Sequence, residues 1–371
     1  KINLEERYQW VLANEENILD SGARPLDGDM WWAEADKPFQ CLAACIEWLG
    51  FRLQGSSYKS RLPIALDGSC SGLQHFSALL RDPVGGAATN LVPSDRPQDI
   101  YQRVADVVSA QLDESDEEEE ANLWRGRVSR KVVKRPTMTL PYGVTRFGMR
   151  DQTWGLLKQA KAEGEPILPE GTDLLNASTY VSGLIYGSIG QVVVAAREAM
   201  DWLQEAAQVA ASDGLPLYWT APNGLPVQQD YRKTMEKRVR TWFGGTRVNA
   251  YYLENLPDVD KRKQASGISP NFVHSLDAAH LMATVNECKD HGIRDFAMIH
   301  DSFGTHACDT GDLAYLLRKA FVQQYEQPVL ERFRAELVSQ LPDQLAEKIP
   351  EAPTQGDLDL EQVMESWYFF A

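Results

Sequence analysis

Apolar residues recur at helical spacing along most of the chain and are interrupted by a few short apolar runs. Leu4, Tyr8 and Leu12 fall on one face of a helix predicted over residues 4–19. Helix is the main predicted element, and a small set of strands accompanies it. The other predicted helices cover residues 71–80, 97–112, 125–141, 191–211, 271–286, 311–325 and 328–340.

Short apolar runs bounded by turn residues predict the strands. One of them ends on Asp67 and another reaches Asp301. Because these two acids lie in the first and last thirds of the chain, we expect the middle to form an inserted subdomain. No internal repeat is visible. The predicted strands are residues 61–67, 217–221, 225–231, 296–301 and 303–307, with turns at Pro222-Asn-Gly224 and at Asp301-Ser302.

Composition places the chain among globular proteins. It has 371 residues, of which 43% are hydrophobic and 24% charged, enough for one large domain or two to three smaller ones. No run approaches the roughly 18 apolar residues of a membrane span, and no signal segment opens the chain. We therefore expect no membrane partner and a cytoplasmic location. The five cysteines lack paired metal-ligand spacing, so we expect reduced, mostly buried thiols.

Charge is distributed unevenly along the chain. The net charge of −16 argues against a nucleic-acid partner, because a duplex repels an acidic body. However, seven acids crowd into Asp113–Glu120, which predicts a solvated loop, while residues 125–150 hold eight Arg or Lys and no acid. Residues 232–247 carry six cations against Glu236 alone. These local basic stretches keep nucleic-acid binding open.

Two carboxylates at strand ends are the first candidate chemistry. Asp67 lies in Leu-Asp-Gly-Ser and Asp301 lies in Ile-His-Asp-Ser. Most acids at such positions are caps or surface charges. As a pair on adjoining strands, however, they form a hard-oxygen site suited to Mg²⁺, with the Gly68 carbonyl free to approach the same ion. Asp301 also occupies a tight turn, a strained place that structure alone rarely requires.

A cationic helix between these acids is the second candidate. Arg130, Lys134, Met138 and Tyr142 follow each other at intervals of four, so they line one stripe of a helix. A solvated cationic face is the ordinary interpretation, but such a face would not place a methionine and a tyrosine in line with the charges. This order suits a nucleoside triphosphate, because the cations can hold the phosphates while the aromatic end borders the base and sugar.

These segments resemble motifs A, B and C of the single-subunit RNA polymerases of bacteriophages and mitochondria. The matching segments begin at Asp67-Gly-Ser-Cys, Arg130-Lys-Val-Val-Lys and His300-Asp-Ser-Phe, and the segment Pro270–Asp277 and the aromatic C-terminus match the same family. The resemblance runs in order along nearly all of the chain. It implies a predominantly helical α+β fold, a right hand with a palm and fingers around a small antiparallel palm sheet.

The resemblance also implies a division into domains. Residues 1–85 would form the first part of the palm, and residues 86–265 the fingers with the motif B helix. Residues 266–371 would complete the palm and add a C-terminal foot. Within the fingers, the stretch Gln228–Asn249 resembles the hairpin that reads the promoter in the phage enzymes. Its candidate DNA contacts are Arg238, Arg240 and Arg247; a solvated hairpin is the alternative.

Carried over residue by residue, the resemblance implies the following site. Asp67, the Gly68 carbonyl and Asp301 would hold two Mg²⁺ ions during catalysis. Lys134 would bind phosphate and protonate the departing pyrophosphate, and Tyr142 and His274 would recognise the ribose. The other histidines considered, His75, His280, His291 and His306, carry no such support and are predicted to be structural. The candidate nucleotide-binding residues are Arg130, Lys134, Arg135, Met138, Tyr142, Gly143 and His274.

The partners implied are a DNA template, an RNA product and NTPs. A missing N-terminal domain, or a separate N-terminal chain, is also implied, since nothing here resembles that part of the family or most of its thumb. A phage source would place the chain in the host cytoplasm, and an organellar source in a mitochondrion or another organelle. Other departures are Pro136 inside the basic helix, where it removes a backbone donor, and a shortened linker before that helix.

Two alternatives remain open from the sequence. The spacing of Arg130, Lys134 and Tyr142 is also similar to that of the DNA polymerase I family, but Asp67 is followed by Gly-Ser-Cys-Ser rather than by a glutamate that excludes ribose. The other alternative is a non-catalytic, polymerase-like subunit that only binds nucleic acid. Retention of both aspartates with Lys134 and Tyr142 argues against it.

Overall fold

The computed structural model describes residues 3–115 and 118–370, and helix dominates them as the sequence predicts. The helices are α1 (Leu4–Ala13), α2 (Glu15–Ala23), α3 (Pro38–Gln54), α4 (Ser71–Leu79), α5 (Pro83–Ala88), α6 (Ile100–Asp113), α7 (Glu118–Trp124), α8 (Arg130–Thr139), α9 (Arg146–Ala162), α10 (Leu174–Val192), α11 (Val194–Ala211), α12 (Lys261–Asp290), α13 (Thr310–Tyr325), α14 (Val329–Ser339), α15 (Asp343–Ala346) and α16 (Gln362–Glu365).

Strands form three small antiparallel sheets in the described part of the chain. One sheet has three strands in the order β1-β7-β6, and the other two are the hairpins β2–β3 and β4–β5. This confirms the predicted α+β class with a small antiparallel sheet. The strands are β1 (Ile64–Asp67), β2 (Leu217–Thr220), β3 (Pro226–Gln229), β4 (Arg232–Phe243), β5 (Thr246–Val259), β6 (Ala297–Ile299) and β7 (Ser302–Thr305).

The three-stranded sheet joins the two distant acids. β1 pairs with β7 in a register that sets Asp67 opposite Ser302, the residue after Asp301. β6 and β7 form a tight hairpin in which Ile299 pairs with Ser302, so His300 and Asp301 make the turn. The predicted hairpin bent at Asp301-Ser302 is confirmed, with the bend one residue earlier. Elements more than 230 residues apart therefore meet at one sheet edge.

An aromatic cluster supports this sheet from below. Phe303 of β7 is fully buried, with its ring centroid 5.2 Å from that of His280 and 5.1 Å from that of Phe370. Phe370 also reaches the sheet through a backbone bridge to Gly68. The aromatic C-terminus thus packs beneath the strand that carries Asp67. Each such side chain contributes about 1.5–3 kcal/mol through burial of its apolar surface.

Two predicted helices are shorter than their sequence patterns indicate. The helix predicted over residues 4–19 is two helices that meet at Asn14, whose side-chain amide donates to the Trp10 carbonyl and competes with helical bonding. The helix predicted over 125–141 begins only at Arg130 and ends at Thr139. Gly126, at φ +69°, takes the left-handed conformation that separates α8 from α7.

Other segments contain more helix than predicted. Gly85 and Gly86 do not close a unit but lie inside α5, where Asp82 caps the first turn. The helix predicted over 191–211 begins at Val194, because the chain turns at Val193 out of a preceding helix. The one predicted over 271–286 is the 30-residue α12, which runs through Pro270. The helices α3, α9 and α10 were not predicted.

Both ends of the acidic run lie in helices rather than in a loop. Asp113 ends α6, and α7 begins at Glu118. Asp116 and Glu117 of this run lie outside the described residues. Helix N-termini favour acids, which explains why an acidic segment can open α7. The prediction of one solvated loop over Asp113–Glu120 is therefore wrong in its secondary structure.

Neither disulfides nor a single membrane-spanning helix occur in the described residues. No disulfide joins the cysteines there, and Cys45, Cys70 and Cys288 are buried. Within residues 3–115 and 118–370, no one helix is long and apolar enough to cross a bilayer. The pair α10 and α11 meets the length and composition test only when taken together, and it is bent by 102°.

Truncating the buried ring of β7 tests the support of the sheet. We expect Phe303→Ala to lower the free energy of unfolding by about 3–5 kcal/mol, because it removes apolar contacts and leaves a cavity. Urea titration followed by circular dichroism measures this. The matched control is Phe39→Ala, the same substitution at a ring that is 80% exposed. A loss at Phe303 no larger than the loss at Phe39 would contradict the proposed role of the cluster.

Candidate active site

A cavity of about 580 Å³ opens where the acid-bearing sheet edge meets α4, α8 and α12. It brings together residues that are separated by more than 200 positions in the sequence. Most of the sequence-predicted site residues line it, namely Asp67, Gly68, Arg130, Lys134, Met138, Tyr142, His274 and Asp301.

Two like charges meet at the floor of this cavity. Burial raises the pKa of the Asp67 carboxyl, and the positive charges of Lys37 and Lys134 partly offset that effect. Burial also raises the pKa of the Asp301 carboxyl, and here the negative charges of Asp67 and Asp277 add to it. A pair of half-buried carboxylates that repel each other is stabilised by a cation placed between them.

The donor set at this floor fits Mg²⁺. Two carboxylates and the Gly68 carbonyl are hard oxygen ligands, and Mg²⁺ commonly takes one or two carboxylates and completes its shell with water and substrate phosphate. The Gly68 N–H donates to the Asp301 carbonyl (3.1 Å), which holds the two acid-bearing segments together. No group of three or more His, Cys, Asp or Glu within the described ranges is arranged to hold a metal by itself.

Strained backbone flanks the acid pair. His300 has φ +53° in the β6–β7 turn, and Cys70 has φ +71° just before α4. Residues other than glycine rarely adopt this left-handed backbone conformation, and such strain is concentrated at functional sites. The turn at His300 directs Asp301 into the cavity. The conformation of Cys70 lets α4 begin at Ser71, four residues after Asp67. The sequence-based expectation of a strained turn at Asp301 therefore applies to its neighbour His300.

The cationic wall is formed by α8. Arg130 donates from Nε to Asp99 Oδ2 (2.7 Å), and its guanidinium lies 5.0 Å from the centre of the Tyr101 ring. Asp99 caps α6 and Tyr101 lies in its first turn, so α6 orients this arginine. Lys134 lies one turn further along α8 and is exposed at the cavity. Pro136 follows within the same helix, which continues to Thr139 even though Pro136 cannot donate to the Val132 carbonyl.

Tyr142 and His274 form a stacked pair that also lines the cavity. Their ring centroids are 4.6 Å apart with an interplanar angle of 13°. Tyr142 lies beyond the end of α8, so it reaches the cavity from a turn rather than from the predicted helical stripe. Burial and the Asp277 charge raise the pKa of Tyr142 well above its usual value, so its hydroxyl keeps its proton. Burial lowers the pKa of His274.

Gly72 makes room for this pair. A Cβ at Gly72 would lie 2.8 Å from Pro141 Cβ, a contact that real side chains essentially never make, and 3.2 Å from Tyr142 Cζ, which is a tight contact. The absence of a side chain lets the first turn of α4 pack directly against the tyrosine ring. A larger residue would force Pro141 to shift and would crowd Tyr142.

Two predicted nucleotide-binding residues lie outside the cavity lining. Arg135 is exposed on α8, next to Lys134. Gly143 is in a turn at φ +77°, where a Cβ would lie 3.4 Å from the Ser266 carbonyl oxygen and 3.4 Å from Pro270 Cδ. Its contribution is thus to the turn between α8 and α9, which passes close to α12 at this glycine. Neither residue lines the cavity alongside Lys134.

The candidate DNA contacts share one face of the β4–β5 hairpin. Directly paired residues of antiparallel strands lie on the same face, and Arg240 pairs with Asn249 while Trp242 pairs with Arg247. Arg238 lies two residues before Arg240, so it belongs to the same face. The hairpin spans residues 232–259, further along the chain than the predicted 228–249. Asn249 and Trp242 were missed, although strand alternation alone would have placed them beside the arginines.

A part-buried carboxylate in the cavity wall, Asp277, was also missed. Asp277 accepts hydrogen bonds from Ser71 Oγ (2.6 Å) and His75 Nε2 (3.2 Å). These bonds and the nearby histidines lower the pKa of Asp277 to about 2 against the effect of burial. Asp277 follows His274 by three positions, so helical spacing could have placed both on one face. His75 and His280 are buried, as expected of structural histidines.

Comparisons with known proteins show what the whole chain is similar to. A model of the DNA-dependent RNA polymerase family matches residues 1–349. The chain is 39% identical over 385 residues to the mitochondrial DNA-directed RNA polymerase 1B of Nicotiana tabacum, and 38% identical over 419 residues to T7 RNA polymerase of Escherichia phage T7. All of this chain is covered in both, but only 37% and 47% of those relatives. The chain thus spans less than half of their length.

The histidine beneath the site should make stability depend on pH. Burial lowers the pKa of His280 to about 4, below its ordinary value of 6.5, so the folded state binds fewer protons than the unfolded state between these values. Stability should therefore be complete above pH 6.5 and fall as the pH drops towards 4.

Replacing His280 by glutamine keeps a donor for the Leu317 carbonyl and removes the titrating group. We expect the free energy of unfolding of His280→Gln to depend less steeply on pH between 6.5 and 4 than that of the unaltered protein. The difference in slope should correspond to at most about one proton taken up on unfolding. Urea titrations across this range measure the slope, with buried His75 and half-buried His274 retained in both proteins. Equal slopes in the two proteins would contradict the assignment.

Proposed function

The chain belongs to the DNA-dependent RNA polymerase family, and we propose that it catalyses DNA-templated RNA synthesis as the catalytic portion of a phage-type enzyme. The observation that carries this proposal is the meeting, in one cavity, of an acid pair, a cationic helix and a stacked tyrosine–histidine pair. These are the parts that nucleotidyl transfer needs: ligands for metal, groups for phosphate and a surface for the sugar.

In the proposed reaction the RNA 3′-hydroxyl attacks the α-phosphate of an NTP and pyrophosphate leaves. Asp67, the Gly68 carbonyl and Asp301 hold Mg²⁺, which when bound neutralises phosphate charge and favours ionisation of the attacking hydroxyl. Lys134 binds the triphosphate and donates a proton to the departing pyrophosphate. A lysine suits both tasks because it is a compact charge with transferable protons.

The remaining cavity residues orient the nucleotide. Arg130 binds phosphate and is held ready by Asp99 and Tyr101. Tyr142 and His274 recognise the ribose, and the protonated hydroxyl of Tyr142 is available as a donor to the 2′-oxygen. Met138 borders the base. Arg135 and Gly143 contribute to nucleotide binding only indirectly. Arg135 adds positive charge next to Lys134, and Gly143 shapes the backbone turn that follows α8.

The proposed domains follow the family's right hand. Residues 1–85 and 266–371 form the palm and C-terminal foot, and residues 86–265 form the fingers. Pairing of β1 with β7 supports a palm built from both ends of the chain. The β4–β5 hairpin would contact DNA through its arginine face. A DNA template, an RNA product and an N-terminal portion, joined or separate, complete the proposed partners.

Extension of RNA on a preassembled RNA–DNA scaffold with Mg²⁺ tests the proposal, because the scaffold bypasses promoter opening. We expect NTP-dependent extension that falls on the order of a thousandfold or more in Asp301→Asn, since that change removes a charged ligand from the acid pair. The control Asp290→Asn alters an exposed acid at the end of α12 and should extend normally.

The other outcomes separate the alternatives. Extension with dNTPs in preference to NTPs would identify a DNA polymerase. If neither NTPs nor dNTPs are incorporated, the assay is repeated with the N-terminal portion of a relative added. If RNA is still not extended after that addition, the proposed activity is rejected, and binding of the scaffold without any turnover would identify a nucleic-acid-binding subunit.

The arginine face of the hairpin makes a separate prediction. Neutralising one phosphate contact lowers the dependence of log K on log salt by about 0.9. We expect Arg240→Ala and Arg247→Ala each to lower that slope by about this amount for a mixed-sequence duplex, measured by fluorescence anisotropy. The matched control is Lys237→Ala, which removes a cation from the opposite face of β4, where it pairs with Glu254. Equal effects on both faces would contradict a one-sided DNA contact.

A further inference from the structure

Asp277 joins two of the elements that build the cavity. It lies in α12, one helical turn after His274, and lines the same cavity as Asp67 and Asp301. Its Oδ1 atom accepts hydrogen bonds from Ser71 and His75, both in α4. Because α4 begins four residues after Asp67, one carboxylate links the helix that carries His274 to the segment that carries the first acid.

Buried groups fix the hydrogen bonds of this link. His75 Nδ1 contacts the hydroxyl of Tyr325, and both side chains are almost completely buried. The carboxylate of Asp277 can only accept, so the hydrogen of this contact is on His75 Nε2. Burial raises the pKa of Tyr325 far above its usual value, so the hydroxyl in contact with Nδ1 keeps its proton. Tyr325, His75 and Asp277 thus form one buried chain of polar contacts.

Successive residues at the start of α4 hold the two members of the stacked pair. Ser71 binds α12 through Asp277, and Gly72 packs against the ring of Tyr142. Tyr142 in turn stacks on His274. Asp277 therefore contributes to holding His274 beside Tyr142, together with the hydrogen bond from Ser269 Oγ of α12 to the Pro141 carbonyl (3.3 Å). A hydrogen bond to a charged carboxylate is shorter and stronger than one to a neutral amide.

We propose that Asp277 is a positioning residue that holds His274 against Tyr142 and thereby sets the preference for ribonucleotides over 2′-deoxyribonucleotides. This inference rests on the proposed function, which assigns ribose recognition to these two rings. Asp277 itself is held by Ser71 and His75, so it acts through its neighbours and not by contact with the nucleotide.

Equilibrium binding tests the inference without any turnover. The scaffold carries RNA that ends in a 3′-deoxy nucleotide, so no bond can form, and Mg²⁺ is present. The Kd of the matched NTP and the Kd of its dNTP are measured by fluorescence titration. We expect Asp277→Asn, which keeps the shape and removes the charge, to reduce the ratio of the dNTP Kd to the NTP Kd about tenfold.

The matched control is Ser275→Ala. Ser275 lies between His274 and Asp277 in the sequence but accepts a hydrogen bond from Trp219 Nε1 (3.1 Å), away from α4. This variant should lower the Tm and leave the Kd ratio unchanged. It separates a general loosening of α12 from loss of the link.

Ser71→Ala removes the hydrogen bond between Ser71 and Asp277 from the α4 side. It provides the same test if Asp277→Asn does not fold. In the double variant the two effects on the ratio should not add, because they remove one interaction. An unchanged ratio in both single variants, or no NTP preference in the unaltered protein, would overturn the inference. A chain that shows the expected change in ratio but never extends RNA would support the inference and reject the proposed catalysis.

Discussion

Antiparallel pairing of β1 with β7 is the interaction on which the rest of this structure depends. It sets Asp67 beside the turn that holds Asp301, so two half-buried carboxylates share one sheet edge. Burial opposes this arrangement and raises the pKa of both groups, and the negative charge of Asp67 raises the pKa of Asp301 further. A fold can keep such a pair only if cations approach it. The position of Lys134 on α8 above the acids follows from that requirement, and so does the fit of the site to Mg²⁺.

The core that supports this pairing contains buried polar groups as well as aromatic rings. Below the sheet, Phe303 and Phe370 pack around His280, and His75 lies between His280 and Tyr325. Aromatic packing supplies most of the stabilisation, whereas the hydrogen bonds specify one arrangement of the rings. Because Asp277 belongs both to this layer and to the cavity wall, core packing and nucleotide recognition share a residue.

Sequence patterns predicted the parts of this site that are local. An acid at the end of a short apolar run identified Asp67, and spacing by four placed Arg130, Lys134 and Met138 on one side of α8. The resemblance to the RNA polymerase family added His274 and gave Tyr142 its expected role at the ribose, and the cavity contains both. Helix ends were predicted less well. Asn14, Gly126 and Val193 interrupt helices through single-residue conformations that an apolar repeat does not record.

The sequence by itself therefore determined the identity of the reactive groups and the type of most elements, because side-chain chemistry and apolar period are properties of neighbouring residues. Only the tertiary structure decided which groups share a cavity. Ser71 and Asp277 are 206 positions apart, and no local pattern links a serine at the start of one helix to an acid in the middle of another. The same holds for the stacking of Tyr142 on His274. Long-range packing sets these contacts, since each depends on the path of every element between them.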